Sequence, residues 1–206
     1  MSVDRKFGKA NTHKPDIKHF SPKLRAMVSC DSYLEKKKCL VLDLNPDVIS
    51  YMTQPDSTYY EFNGAICRYT PDKLVKTNNG YEFWEIKPFA KTLSDEFKHK
   101  DKVLKTHYCE VLKVPLKVVT EEGMTKREFI SNCQVLSDYI YHYQDEDITN
   151  HILNDLLNMT NPRVLDAEVI AIEYGQSPDY VWSMLAHKKL RFDHDLLIDR
   201  GTQLLM

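Results

Sequence analysis

Two acidic residues and a lysine in one short stretch are of the types needed for metal-assisted hydrolysis of a phosphodiester. The sequence contains Pro71-Asp72 followed by Glu85-Ile86-Lys87. Carboxylates hold Mg²⁺ ions, which polarise the phosphoryl oxygen and generate hydroxide, and a lysine offsets the negative charge that develops. The same pattern also arises by chance, and the simpler interpretation is a hairpin with an Asp72–Lys87 ion pair of little energetic value.

The dipeptide Asn79-Gly80 predicts the hairpin that would bring these side chains together. Both central positions of a type I′ turn need φ > 0, which Asn and Gly tolerate. With Asn79 and Gly80 as the loop residues, Asp72 lies opposite Lys87, and Glu85 lies on the same face. Opposed Cβ atoms are about 5 Å apart and diagonal ones about 7 Å apart. A loop longer by two residues keeps the three on one face, whereas a slip of one residue separates Asp72 from the other two.

Glu35 is the candidate for a third carboxylate, near the start of a helix predicted over residues 31–46. Ser32 and Glu35 have the S-x-x-E spacing of a capping box, in which each side chain satisfies a backbone N–H group at the helix start. Glu35 therefore either caps the helix or joins Asp72 and Glu85 as a metal ligand. The sequence leaves both interpretations open.

The complete catalytic set predicted from the sequence is Glu35, Asp72, Glu85 and Lys87. The metal ligands would be the three carboxylates and the backbone carbonyl of Ile86, because Mg²⁺ prefers a few carboxylate oxygens and keeps several waters. We expect Mn²⁺ to substitute for Mg²⁺. Lys87 would orient or activate the attacking water, since its ammonium is a mobile point charge beside two acids.

The elements around the hairpin predict a mixed α/β fold. Two short strands, Asp47–Pro55 and Tyr59–Phe62, precede the hairpin and predict an antiparallel meander. Ser94 is an N-cap for a helix with a period near 3.6. The strand Pro115–Thr120 can then join the sheet in parallel through a right-handed crossover. We therefore expect a mixed sheet flanked by helices, forming a nuclease domain over residues 31–143.

Residues 144–206 predict a separate small unit. Helices are expected over residues 148–159, 165–174 and 177–188, with a hairpin from residue 190 onward. Three helices followed by a hairpin indicate a winged-helix domain. Residues 138–206 hold five Lys/Arg against twelve Asp/Glu, so this unit is expected to bind a protein rather than phosphates.

The N-terminal segment is basic and predicts an arm over residues 1–30 that tracks a nucleic-acid backbone. Residues 1–40 hold ten Lys/Arg against four Asp/Glu, although the net charge of the chain is −2. A solvated, flexible terminus without a binding role is the alternative. Candidate phosphate contacts in the arm are Arg5, Lys6, Lys9, Lys18, Lys23 and Arg25. On the helix after Ser94 they are Lys98, Lys102 and Lys105, for which a solvated helix face is the alternative.

The composition favours an intracellular protein without a membrane span. The 206 residues are 42% hydrophobic, enough for a core, and no run of about 18 apolar residues is present. The five cysteines are odd in number and widely spaced, so they fit neither a disulfide framework nor a C-x-x-C zinc site. We expect a cytoplasmic protein that associates with the nucleoid when bound to DNA.

A series of motifs along the chain resembles the TnsA endonucleases of heteromeric transposons, which have a restriction-enzyme-like PD-(D/E)xK fold. They are Asp31-Ser32-Tyr33-Leu34-Glu35, Asn45-Pro46-Asp47-Val48, Gln54-Pro55, Arg68-Tyr69-Thr70-Pro71-Asp72, Glu85-Ile86-Lys87-Pro88, Val119-Thr120-Glu121 and Asn132. The C-terminal unit with its closing segment from Leu190 to Leu205 is also similar. The resemblance therefore covers nearly the whole chain.

The resemblance implies an endonuclease that cuts the 5′ ends of a transposon, on the strand not joined to the target. It implies two partners: a DDE-family, TnsB-like transposase that cuts the other strand, and an AAA+, TnsC-like ATPase regulator that binds the C-terminal domain. Glu35, Asp72 and Lys87 match the family's catalytic positions, whereas the position of Glu85 can hold Gln in the family. Two alternatives remain: a stand-alone restriction- or repair-type nuclease, and a nuclease-like adaptor that mainly binds transposition partners.

Overall fold

A computed structural model describes residues 16–122, 124 and 126–206. The strands of this part of the chain are β1 (Ile17–Ser21), β2 (Ala26–Cys30), β3 (Val48–Thr53), β4 (Thr58–Phe62), β5 (Ala65–Tyr69), β6 (Lys73–Thr77), β7 (Gly80–Ile86), β8 (Leu116–Val119), β9 (Arg191–Phe192) and β10 (Leu204–Leu205). The helices are α1 (Tyr33–Asp43), α2 (Phe89–Thr92), α3 (Asp95–His107), α4 (Arg127–Ser137), α5 (Glu146–Leu157), α6 (Val164–Glu173) and α7 (Asp179–Ala186). A π-helical turn, Tyr108–Leu112, continues α3. No helix in the described ranges is both long enough and apolar enough to cross a membrane.

The central element is a four-stranded mixed sheet with the order β3-β6-β7-β8. β7 pairs with β6 in antiparallel orientation and with β8 in parallel orientation. The parallel pair requires a crossover connection, and α3 supplies it. Ser94 caps α3 by accepting a hydrogen bond from the N–H of Phe97, at 3.2 Å. The predicted mixed sheet, its crossover helix and its N-cap are therefore confirmed.

The predicted meander is wrong in one respect, because β4 does not join the central sheet. β3 pairs directly with β6, and the intervening strands β4 and β5 form a separate two-stranded hairpin. That hairpin packs its aromatic residues Tyr60 and Tyr69 against Leu104 and Tyr108 at the end of α3. Burying these large rings against the crossover helix stabilises the hairpin away from the sheet.

The β6–β7 pairing differs from the predicted register by two residues. Thr77 lies opposite Gly80, so Asn78 and Asn79 are the turn residues, and of Asn79 and Gly80 only Gly80 has a positive φ, 124°. The hydroxyl of Thr77 accepts a hydrogen bond from the N–H of Asn79. This local hydrogen bond stabilises a turn that begins at Thr77. The predicted opposition of Asp72 and Lys87 is therefore wrong. The shift is even, so the shared face is preserved.

The two faces of the sheet carry separate apolar clusters. On one face, α1 packs Cys39 and Leu42 against Val75 and the partly buried Trp84. On the other face, α3 and the β4–β5 hairpin pack against Phe83 together with the cluster around Tyr108. Because strand side chains alternate between faces, Glu85 shares the α3 face with Phe83.

Residues 16–30 form an antiparallel β-hairpin, β1–β2, which packs against α1. His19 and Ser21 of this hairpin hydrogen-bond to Asp43 at the end of α1. Within the described residues, the expected extended arm is therefore replaced by a folded hairpin, because buried polar partners hold it to the domain. The part of the predicted arm before residue 16 lies outside the described residues.

The C-terminal residues form the helices α5, α6 and α7 and a two-stranded ladder of β9 and β10. Leu156, Val164 and Met184 from these helices share one apolar core with Leu40 of α1 and Leu136 of α4. The three predicted helices are thus present, and their core is continuous with the rest of the chain. A winged-helix assignment for this unit stays a prediction.

Candidate active site

Asp72 lies immediately before β6 and faces the neighbouring strand β7. Its backbone N–H donates to the carbonyl of Trp84, at 3.0 Å. One carboxylate oxygen, Oδ2, accepts a hydrogen bond from the N–H of Ile86, at 2.6 Å. The second carboxylate oxygen, Oδ1, is left for another partner, and the side chain remains 19% exposed. Burial, followed by the charge of Glu85, raises the pKa of Asp72.

Glu85 lies near the end of β7 and binds two side chains. Its Oε1 is 2.6 Å from the ammonium of Lys87, and its Oε2 accepts a hydrogen bond from the hydroxyl of Tyr69, at 2.5 Å. Burial raises the pKa of Tyr69, and the carboxylate of Glu85 raises it further. The phenol therefore stays protonated and donates to Glu85, fixing its orientation.

Lys87 joins the two acids of the site. Its Nζ lies 2.6 Å from Glu85 and 3.6 Å from Asp72. Burial opposes the charge of Lys87, but Glu85 and Asp72, with a smaller effect of Glu35, outweigh burial and raise the pKa of Lys87. The structure thus brings together all three side chains that opened the sequence analysis, with a lysine that stays protonated at neutral pH.

Glu35 caps α1, as the S-x-x-E spacing predicted. Its backbone N–H donates to the Ser32 hydroxyl oxygen at 3.2 Å, and the same hydroxyl donates to Oε1 of Glu35 at 2.9 Å. Oε2 accepts from the N–H of Asp31 at 2.9 Å. Both carboxylate oxygens are therefore engaged at the helix start, although Glu35 lies near enough to Lys87 to affect its pKa.

The donor set fits a hard divalent cation. Within the described residues, no group of three His, Cys, Asp or Glu side chains is arranged as a metal site. Mg²⁺ does not require such a group, because one or two carboxylates and several waters suffice. Asp72 and Glu85 provide two carboxylates whose mutual repulsion a cation would relieve. The peptide of Ile86 is held against Asp72 by a hydrogen bond.

Helix α3 forms the opposite wall of this site. A cavity of about 100 Å³ lies between Glu85 and Lys87 on the sheet and α3. Its lining residues from α3 are Phe97, Lys100, Asp101 and Leu104, and those from the strands also include Tyr69, Leu116 and Val118. The charged groups of the sheet therefore face a narrow cleft, and the wall formed by α3 also carries a lysine, Lys100.

The predicted phosphate contacts lie in several different environments. Lys98 pairs with Asp95 at 3.7 Å, and Lys105 pairs with Asp101 at 2.7 Å. Lys102 is exposed. These three stay predictions, because no DNA is present to test them.

The predicted contacts of the N-terminal segment are mostly tied to the protein itself. Lys18 pairs with Asp16 at 2.8 Å, and Lys23 donates to the backbone carbonyls of Asn45 and Val48. Burial lowers the pKa of Lys23 to about 8. The guanidinium of Arg25 lies 5.3 Å from the centre of the Tyr141 ring, and Arg5, Lys6 and Lys9 fall outside the described residues.

Two site residues, Tyr69 and Lys100, were missed by the sequence analysis. Tyr69 comes from β5, a strand that the sequence analysis did not separate from the central hairpin. A signal for Lys100 was present, since Phe97, Lys100 and Leu104 have the i, i+3, i+7 spacing of one helix face. The predicted phosphate contacts on this helix, Lys98, Lys102 and Lys105, did not include Lys100.

Comparison with known families agrees with this geometry. A family model described as the TnsA-like endonuclease N terminal matches residues 45–121. The match spans the four strands of the central sheet and α3, and so includes Asp72, Glu85 and Lys87. A search of curated proteins found no match. Residues 45–121 of this chain are therefore similar to the TnsA-like endonuclease N-terminal domain.

Proposed function

We propose that this protein is a Mg²⁺-dependent DNA endonuclease that cuts the 5′ ends of a transposon, on the strand that is not transferred. The observation that carries the proposal is the grouping of Asp72, Glu85 and Lys87 at one end of β7, inside the TnsA-like segment. The similarity of residues 45–121 to the TnsA-like domain supports a nuclease of a Tn7-type transposition system. The strand preference and the metal rest on the resemblance and on the chemistry of the site.

Each residue of the site has a distinct role in this proposal. Asp72 and Glu85, with the carbonyl of Ile86, would hold the cation, and Tyr69 keeps Glu85 oriented towards it. Mg²⁺, when bound, would act as a Lewis acid on the phosphodiester and lower the pKa of a bound water. Lys87 donates hydrogen bonds to the attacking water and offsets the negative charge that develops on the phosphoryl oxygens.

Glu35 has a supporting role in the same proposal. The capping interactions fix its carboxylate at the start of α1, on the side of the site where it influences Lys87. A role as a third ligand would require the carboxylate to exchange these bonds for the cation. We therefore assign the primary metal contacts to Asp72 and Glu85.

The C-terminal helices support a protein-binding role for residues 144–206. Leu165, Val169 and Ile172 are 48%, 51% and 56% exposed, and their i, i+4, i+7 spacing places them on one face of α6. Exposed apolar faces of this kind are typical of protein interfaces. We propose the TnsC-like ATPase regulator as the partner of this unit, with a TnsB-like transposase cutting the other strand.

The proposed function is tested with supercoiled DNA that carries transposon ends. The DNA is incubated with Mg²⁺ and the protein, with and without the transposase and the ATPase, and the cut ends are mapped by strand-specific primer extension. We expect cutting at the 5′ ends only in the full mixture. Because Asp72→Ala and Lys87→Met remove a cation ligand and the lysine at the reacting phosphate, each should reduce this cutting by at least about 10³-fold.

Two variants on the other face of the sheet, one on β7 and one on β8, are matched controls. Glu82 and Lys117 form an ion pair at 2.6 Å, so Glu82→Gln and Lys117→Met change the same residue types away from the site. Both should cut like the wild type. Robust cutting without partners would indicate a stand-alone nuclease, and unchanged cutting by Asp72→Ala would rule out an enzymatic role and leave the adaptor.

A further inference from the structure

One lysine of α3, Lys100, lies on the wall of the active-site cleft. It contributes to the lining of the cavity that contains Glu85 and Lys87. Phe97 and Leu104, at i−3 and i+4, belong to the same face of α3. The side chain of Lys100 is nevertheless exposed. Its ammonium is therefore accessible to a ligand that enters the cleft.

Lys100 differs from its helical neighbours in what it contacts. Lys98 and Lys105 form ion pairs with Asp95 and Asp101. In the described part of the chain, no carboxylate lies within ion-pairing distance of Lys100. Its Nζ instead lies 5.8 Å from the centre of the Tyr69 ring, a distance typical of a cation–π contact.

The contact with Tyr69 ties Lys100 to the acids of the site. The same tyrosine donates its hydroxyl hydrogen to Glu85, so one rigid ring positions both a carboxylate and a lysine. The charge of Lys87 is already shared between Glu85 and Asp72. A phosphodiester that enters the cleft brings further negative charge, which a second lysine on the cleft wall would help to offset.

We propose that Lys100 binds the phosphodiester that is cleaved, opposite Lys87 across the cleft. This inference rests on the proposed function and adds to it a residue that the sequence motifs do not contain. The ammonium of Lys100 donates hydrogen bonds to the non-bridging phosphate oxygens, as a point charge suited to phosphate. It stabilises the charge that develops on these oxygens as the nucleophile attacks.

The test compares Lys100 with lysines that have no assigned part in catalysis or DNA binding. The full chain, with its partners and Mg²⁺, is used in single-turnover cleavage of transposon-end DNA at saturating protein. We expect Lys100→Met to lower the saturated cleavage rate by on the order of 10²-fold and Lys100→Arg to restore most of the rate. The controls are Lys37→Met, at an exposed lysine of α1, and Lys117→Met, at the lysine paired with Glu82; both should cleave at the wild-type rate. Thermal unfolding of all four variants should match the wild type.

The outcomes separate this inference from the proposed function. Wild-type protein that does not cut would overturn the proposed function and the inference with it. Wild-type cutting with Lys100→Met equal to Lys37→Met would overturn the inference alone. A Lys100→Met defect that disappears at saturating protein would place Lys100 away from the reacting phosphate, and would also overturn it.

Discussion

Two aspartates of this protein show how differently a carboxylate can be held. Asp43, at the end of α1, is completely buried and accepts hydrogen bonds from His19 at 2.7 Å, Ser21 at 2.5 Å and Tyr51 at 3.0 Å. Asp72 accepts one backbone hydrogen bond and shares a single lysine with Glu85.

The difference separates a structural carboxylate from one for which we propose a catalytic role. The partners of Asp43 satisfy it from three sides and connect β1, α1 and β3, which stabilises the fold. Burial and the neighbouring Glu85 raise the pKa of Asp72, which means that both disfavour its charged form. Clusters of this kind are typical of functional sites. Substitutions at Asp43, Cys39 and Asp72 test this contrast.

Asp43→Ala should have the largest effect on stability. The substitution leaves the polar groups of His19, Ser21 and Tyr51 buried without their acceptor. Breaking a buried network of this kind costs about 3–5 kcal/mol, measured as the free energy of unfolding in urea. Asp43→Asn keeps one acceptor oxygen and should lose less. A loss under about 1 kcal/mol for Asp43→Ala, no more than one ordinary hydrogen bond, would show that the network does not hold the hairpin.

Cys39 and Lys73 provide a second satisfied cluster, on the opposite face of β6 from Asp72. Lys73 is completely buried, and its Nζ donates to Sγ of Cys39 at 3.1 Å. The hydrogen bond from Cys30, with the charge of Lys73, lowers the pKa of Cys39 from its ordinary value of 9.0 to about 6. The folded state therefore favours the Cys39 thiolate.

This depressed pKa predicts a pH dependence of stability. The contribution of Cys39 is complete above the ordinary thiol pKa and is lost as the pH falls through the lowered pKa of the folded state. Cys39→Ser should lose this dependence, whereas Cys109→Ser, at an exposed thiol, should keep it. The measurement is urea unfolding at several pH values. Equal pH dependence in wild type and Cys39→Ser would contradict the assignment.

Asp72→Asn should have the smallest effect on stability and the opposite sign. In EDTA the variant should melt a few degrees above the wild type, because the amide keeps the hydrogen bond from Ile86 and removes the repulsion with Glu85. Added Mg²⁺ should raise the melting temperature of the wild type, since a ligand of the folded state stabilises it. The variant should respond much less. A variant that melts lower, or that responds equally to Mg²⁺, would place Asp72 with Asp43 as a structural carboxylate.

Local signals predicted the elements of this site well. The S-x-x-E spacing predicted the cap at Ser32 and Glu35, Ser94 predicted the start of α3, and the residues after Pro115 predicted the parallel strand. Each is decided by groups a few residues apart in the chain. The hairpin was predicted as well, although its turn residues are Asn78 and Asn79 rather than Asn79 and Gly80. Because the register differs from the prediction by an even number of residues, Asp72, Glu85 and Lys87 still share one face of the sheet.

Residue types and turn signals in the sequence identified Asp72, Glu85 and Lys87 as side chains suited to the chemistry and predicted that one hairpin carries them. Three features depend on tertiary contacts: β4 and β5 form a separate hairpin, Tyr69 orients Glu85, and Lys100 lines the cleft. These contacts join residues about 16 and 31 positions apart, and they depend on how the aromatic residues of β4, β5 and α3 pack together. The hydrophobic effect is non-directional. The sequence therefore does not show which distant apolar residues pack together, and the folded structure does.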